Sequence, residues 1–174
     1  MPITSRQWWA EVKQDPTKFN EWLRKQYHGE VTAAIRIRAM ADETIDAGNK
    51  RTLETIAGQE EQHALWVKEL LDNRNIDPGQ HDESARYWGE VNAAAIGFEN
   101  KAAIAALAEG MRLERIRVIA ADEDAPPDVR FTFERILHDE EWHERAFTKL
   151  TSPEAIEKVR PYHTLGREVL GLEA

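Results

Sequence analysis

The chain has no cysteine, which removes disulfides, thiolate metal sites and iron–sulfur or rubredoxin-type centres from consideration. No apolar run approaches the roughly 20 residues that cross a bilayer as a helix. No segment alternates as a strand would. Positive charge is in the minority, with 23 Lys and Arg against 32 Asp and Glu, a formal net charge of -9 and a pI near 5.2. Nucleic acid and anionic membrane attract basic surfaces, so neither is expected as a partner. The opening residues Met1-Pro2-Ile3-Thr4-Ser5 lack the basic and apolar regions of a signal peptide. A cytoplasmic protein is the expectation, and 174 residues suit a single domain over 1–174 with a core of its own.

What is present is helical periodicity from end to end. Asp15-Pro16 reads as an N-cap with proline at the first helical position. Phe19, Leu23, Tyr27, Glu30, Ala34, Ile37 and Met40 then share one face at steps of three and four. Gly48-Asn49 reads as the end of this helix. A second stripe carries Leu53, Ile56, Glu60, His63, Val67 and Leu71, followed by turn chemistry from Asn73 to Asp82. A third runs through Phe98, Ala102, Glu109, Leu113 and Ile116. Pro127 opens a fourth with Phe133, Ile136, Glu140, His143 and Phe147. A short helix is expected over 4–14 and another from Ser152-Pro153 onward. The predicted fold is all-α: a four-helix bundle over about 16–150, built of two hairpins joined by a long crossover, with short terminal helices.

The two hairpins echo each other. Arg51-Thr52-Leu53-Glu54-Thr55-Ile56 leads to Glu60-Glu61-Gln62-His63, and Phe131-Thr132-Phe133-Glu134-Arg135-Ile136 leads to Glu140-Glu141-Trp142-His143. Upstream, Glu30 leads to Arg36-Ile37-Arg38 and Glu109 to Arg115-Ile116-Arg117. On a helix, residues three apart lie about 300° apart in rotation and about 4.5 Å apart in rise. A Glu and a His so spaced both point inward, the Glu able to bridge two ions while the His binds one. Glu30 and Glu109 would be terminal ligands completing a dinuclear site. Four carboxylates balance two divalent ions, so the site could be buried without a large uncompensated charge.

Glu114 is the rival third-helix ligand. Aligning the two Arg-Ile-Arg triplets puts Glu30 on Glu109 and Ile35 on Glu114, so Glu109 is chosen. Tyr27, one turn before Glu30, is a candidate neighbour of the metals. His28, His81, His138 and His163 have no partner at ligand spacing and are assigned to surface or core. The arginine pairs are assigned to solvent or salt bridges, and the tryptophans to packing.

The order Glu, Glu-x-x-His, Glu, Glu-x-x-His resembles the ferritin-like superfamily of di-iron carboxylate proteins, which includes ferritins, bacterioferritin and rubrerythrin. The resemblance implies two iron ions, with manganese as the alternative, held by Glu30, Glu60, His63, Glu109, Glu140 and His143, with Glu60 and Glu140 bridging. In the bacterioferritin branch the residue before each Glu-x-x-His is usually Asp, hydrogen-bonded to the histidine of the opposite motif; Asp139 matches and Gln59 stands in the equivalent place. Rubrerythrins add a glutamate ligand one turn after the third-helix Glu, where this chain has Arg112. They also add a cysteine-rich module that this chain lacks. Ile37 and Ile116 stand where those families usually place a tyrosine, so the rubrerythrin peroxidase mechanism is not carried over. The implied function is a non-haem di-iron oxidoreductase acting on O2 or hydrogen peroxide, with ferroxidase or iron-detoxifying activity first. Oxygenation of a small organic substrate with an external electron donor comes second, and a non-enzymatic metal-storage subunit third. A homo-oligomer is expected.

Overall fold

The computed structural model describes residues 3–80 and 86–172. His81 and Asp82, at the far end of the expected connection, lie outside the described residues. In chain order the helices are α1 (Ser5–Gln14), α2 (Pro16–Glu43), α3 (Ala47–Asp72), α4 (Tyr87–Val91), α5 (Phe98–Ala120), α6 (Pro127–Lys149) and α7 (Pro153–Val169), with a 3₁₀ turn at Asn92–Ala94. Among the described residues every regular element is helical, and no helix is long and apolar enough to cross a membrane.

Local chemistry sets the starts. The Thr4 side chain and Gln7 form a reciprocal capping box at α1. Asp15 accepts from the backbone N–H groups of Thr17 and Lys18, and Pro16 follows at the first position of α2. Pro127 and Pro153 open α6 and α7 in the same way. Gly97 precedes α5 with φ 82°, a left-handed conformation that only glycine adopts without strain.

The hairpin turn between α2 and α3 lies earlier in the chain than Gly48-Asn49. α2 stops at Glu43, and Asp46 caps α3 by accepting from Asn49 N–H at 2.7 Å. Gly48 therefore belongs to the first turn of α3, where an added Cβ would sit 3.1 Å from Asp46 Oδ1. The shift levels the hairpin. Thirteen residues separate Glu30 from Glu43, and thirteen separate Ala47 from Glu60, so the two ligand candidates meet at one height.

α2 packs along α3, α5 along α6, and α3 meets α6, whereas α2 and α5 approach each other at few points. Two apolar layers fill the bundle. One gathers Trp9, Phe19, Trp22, Leu23, Leu71, Phe133 and Ile136, with α1 folded over it. The other gathers Ile37, Met40, Leu53, Ile56, Ala102 and Phe147. Between them runs a belt of buried polar residues. A third cluster lies outside, where Tyr87 and Val91 of α4 meet Ile104 and Met111 of α5 and Val159 of α7.

The C-terminal helix is not short: α7 has 17 residues and continues through Pro161. Proline inside a helix forgoes one backbone bond and normally breaks it. Here tertiary packing holds the helix, burying Ala155, Val159, His163 and Gly166 against α4 and α5. A Cβ on Gly166 would lie 2.5 Å from the Tyr87 ring, so the close approach of α7 requires glycine.

Candidate metal centre

The belt between the two apolar layers contains Glu30 from α2, Glu60 and His63 from α3, Glu109 from α5, and Glu140 and His143 from α6. Glu109 is 5 % exposed and the other five are fully buried. Burying four carboxylates in one place is costly unless something compensates them. One ligand atom from each of Glu30, Glu60, His63 and Glu140 lies within 4.8 Å of the others, and the same holds for Glu60, Glu109, Glu140 and His143. The two groups share Glu60 and Glu140.

The oxygens are divided between the groups in a regular way. His63 Nδ1 faces Glu60 Oε2 at 3.5 Å and Glu140 Oε1 at 3.8 Å. His143 Nδ1 faces the other oxygen of each, Glu60 Oε1 at 3.2 Å and Glu140 Oε2 at 3.4 Å. Each shared carboxylate thus offers one oxygen to either side, the arrangement a bridging ligand needs. Glu30 Oε2 closes the first group at 3.9 Å from His63 Nδ1.

The far ring nitrogens are held crosswise. His63 Nε2 lies 3.1 Å from Asp139 Oδ2, and His143 Nε2 lies 3.0 Å from Gln59 Oε1. Each acceptor immediately precedes the opposite Glu-x-x-His motif. An acceptor at Nε2 places the proton of a neutral imidazole there, leaving the Nδ1 lone pair facing the carboxylates. Eight buried side-chain atoms of the six residues have no hydrogen-bond partner: both oxygens of Glu60 and of Glu140, one each of Glu30 and Glu109, and both Nδ1 atoms. Buried polar atoms are seldom left so. A set of carboxylate oxygens and imidazole nitrogens turned toward one space fits two divalent ions of the iron or manganese type.

Arg112, on α5, projects into the same space. Its Nη2 contacts Glu30 Oε1 at 2.6 Å and Glu140 Oε1 at 2.9 Å. Its Nη1 lies 3.7 Å from Glu109 and 3.8 Å from Glu60. The sequence marks this position by its departure from the rubrerythrin pattern. That the side chain turns inward among all four carboxylates is visible only in three dimensions.

Charge is shared unevenly across the metal-free cluster. Burial, reinforced by Glu60 and Glu140 and opposed by Arg112, pushes Glu30 up to about 8. Burial and the neighbouring Glu140 likewise hold Glu109 well above the usual carboxylate range. Burial opposes ionisation of Glu60 and Glu140 too. For Glu60 it is outweighed by the close approach of both histidines and the Arg112 charge, and for Glu140 by Arg112 and His143, so both fall below the ordinary value. His63 and His143 rise to about 9, because bonding to Glu60 and Glu140 outweighs their burial. Metal ions would displace these protons.

The other residues singled out by the sequence make contacts of their own. Glu114 forms a two-pronged ion pair with Arg167 of α7, at 2.7 and 3.2 Å, away from the belt. Tyr27 stacks edge-on with His28 and lines an outer groove of α2 and α3 beside Ile35 and Leu65. His28 Nε2 bonds to the Pro78 carbonyl, His138 is exposed, and His163 is buried against Tyr87. The arginine triplets repeat in space as in sequence. Arg38 pairs with Glu61 at 2.7 Å and Arg117 with Glu141 at 3.2 Å, while Arg36 stacks on Trp88 and Arg115 on Trp8.

A cavity of about 600 Å³ opens between α2 and α5 and reaches Glu109 and Arg112. It lies where these two helices diverge and adjoins the belt on the side away from the two histidines, which come from α3 and α6.

Compared with curated proteins and with solved structures, the chain has no match. The family model described as Rubrerythrin matches residues 21–151. That span begins within α2, ends just beyond α6 and contains all six belt residues. Covering most of the chain, it shows that this protein belongs to the rubrerythrin family, within the ferritin-like di-iron superfamily.

Proposed function

We propose that the chain is a non-haem di-iron oxidoreductase that reduces O2 or hydrogen peroxide, with Glu30, Glu60, His63, Glu109, Glu140 and His143 as metal ligands and Glu60 and Glu140 as bridges. The observation that carries this reading is the set of buried carboxylates and imidazoles from four helices, gathered in two groups around two shared carboxylates. Iron held by these six residues would supply the electrons for reducing the oxidant. The chain's own residues hold the charge, the protons and the water in place. Asp139 and Gln59 fix the tautomers of the two histidines. The apolar layers above and below exclude water, which strengthens electrostatic interactions inside.

The reducing equivalents could come from excess Fe(II), as in a ferroxidase, or from an organic molecule. The cavity favours the second source. Its lining carries seven basic and four acidic side chains, an unfavourable approach for a stream of Fe(II) ions but a suitable one for an organic anion. The activity proposed is thus oxidation of a small organic substrate at the di-iron centre.

The test is an anaerobic Fe(II) titration of metal-free protein, followed by admission of oxygen with near-ultraviolet absorbance recorded. About two irons per chain and a new oxygen-dependent absorption, both reduced in His143→Ala, are expected. Continued oxidation of a large excess of Fe(II) would instead favour the ferroxidase reading. Failure to bind iron stoichiometrically, with helix content intact, sinks both.

A further inference from the structure

The cavity between α2 and α5 has a volume of about 600 Å³, within the roughly 300–1,000 Å³ typical of small-molecule sites. Ile37, Met40, Ala105 and Met111 give it apolar walls, with the indoles of Trp8 and Trp88 also lining it. Its charge runs against that of the chain, which carries -9 overall. Three of the four lining acids are matched locally: Glu11 by Lys18, Glu21 by Lys25 and Glu43 by Lys101. The fourth is Glu109, from the ligand belt. The surplus of positive charge is therefore arginine.

Two of these arginines are laid flat on the aromatic walls. Arg36 lies 3.9 Å from the Trp88 ring and Arg115 lies 4.2 Å from the Trp8 ring. Burial among like charges lowers Arg115 to about 10. Arg112 is different, because it is common to cavity and belt. Its side chain is 23 % exposed while its partner Glu30 is fully buried, so the guanidinium forms a boundary between the two spaces. In the metal-free protein its charge is absorbed by Glu30 and Glu140. Two divalent ions would balance the four carboxylates by themselves and leave the charge of the half-buried Arg112 without a protein partner on the belt side.

Resting on the di-iron reading, we infer that this cavity binds an organic carboxylate with an apolar body, and that Arg112 receives its carboxylate once the belt carries divalent metal. A planar guanidinium matches a carboxylate with two parallel hydrogen bonds, and the apolar walls accept the chain behind it. The metal-free protein has no such demand, because Arg112 is already engaged.

The experiment uses the full chain loaded with Mn(II), which holds the sites without turnover, and compares octanoate with octan-1-ol. Retained Mn(II) is measured first. Tryptophan fluorescence, to which the cavity-lining Trp8, Trp22 and Trp88 contribute, and calorimetry then follow binding. Octanoate is expected to bind about tenfold or more tightly than octan-1-ol, the usual scale of a charge-assisted hydrogen bond. That preference should be lost in Arg112→Gln, kept in part in Arg112→Lys, and absent without metal. A preference unchanged in Arg112→Gln, or equal in metal-free protein, overturns the inference, as does no preference in Mn(II)-loaded wild type. Where Mn(II) is not retained, Fe(II) is loaded anaerobically in its place, and failure to hold either ion sinks the di-iron reading, so the two failures are told apart by the metal analysis.

Discussion

The hairpin of α2 and α3 and the hairpin of α5 and α6 supply the same three kinds of donor, yet they differ in what surrounds them. Each contributes one terminal glutamate, one shared glutamate and one histidine. Each sets an arginine against the glutamate that follows its shared ligand, Arg38 with Glu61 and Arg117 with Glu141. Away from these pairs the likeness fails. Ala33 stands one turn after Glu30, where Arg112 stands one turn after Glu109, and both line the cavity. Gln59 supports His143, whereas Asp139 supports His63. Ile35 is exposed on the first hairpin, while the matching Glu114 of the second is paired to α7. The lesson is that the pattern of donors is repeated and its electrostatic surroundings are not.

The comparison is broken most completely at the shared carboxylates. Glu60→Ala should abolish retention of both metal ions, while His63→Ala or His143→Ala should each lower retention from about two per chain to about one. Metal analysis after dialysis checks this. Equal loss in all three variants would contradict two distinct groups.

Next comes the asymmetric cation. Arg112→Gln should destabilise the metal-free protein by about 2 kcal/mol, because it leaves buried carboxylates without their counter-charge. For a chain of this size that is roughly a 5 °C fall in Tm. In the metal-loaded protein the loss should shrink or reverse. Calorimetric melting with and without Mn(II) reads both, and an equal loss in the two states would show that Arg112 is only a packing residue.

The supporting acceptors should differ in turn. Asp139→Ala should weaken one ion by about tenfold or more, and Gln59→Ala should weaken the other by less, since a carboxylate raises histidine basicity more than an amide does. Stepwise metal titration reports each ion. Equal effects would mean that the charge of Asp139 is immaterial.

The smallest effect concerns the histidine outside the belt. His163 Nδ1 and the Tyr87 hydroxyl share a 2.6 Å hydrogen bond. Burial, with Arg167 and Arg160 nearby, lowers its pKa from the ordinary 6.5 to about 4. A depressed folded value means that the unfolded chain binds the extra proton first. His163 therefore contributes stability above pH 6.5 that is lost as pH falls toward 4, about 1 kcal/mol after allowing for solvent screening. Denaturant melts of His163→Gln between those limits should show a flatter pH dependence than wild type. An identical slope would remove His163 as the cause.

Legibility in the sequence followed how local each determinant was. Pro16, Pro127 and Pro153 announce helix starts because proline acts within one turn. The end of α2 was harder to read. A glycine after a long periodic run reads as a helix stop, but Gly48 lies inside the first turn of α3, and the signal that mattered was Asp46 capping that helix. The extent of α7 was hidden for the opposite reason. Pro161 suggests a break, and only packing of His163 and Gly166 against Tyr87 holds the helix through it.

The six belt residues are legible because a helix converts spacing directly into direction. Glutamates and histidines interrupting apolar stripes at steps of three and four must face the core, and the repeat pairs them across helices. The sequence by itself thus determined the all-helical bundle and which side chains converge in it. Tertiary structure alone decided what no helical period encodes: the separation of α2 from α5, the cavity it opens, and the turn of Arg112 toward Glu30 and Glu140. A long, flexible arginine at one edge of a helix can reach water or core. Which it reaches depends on whether a neighbouring helix presents a buried charge to receive it.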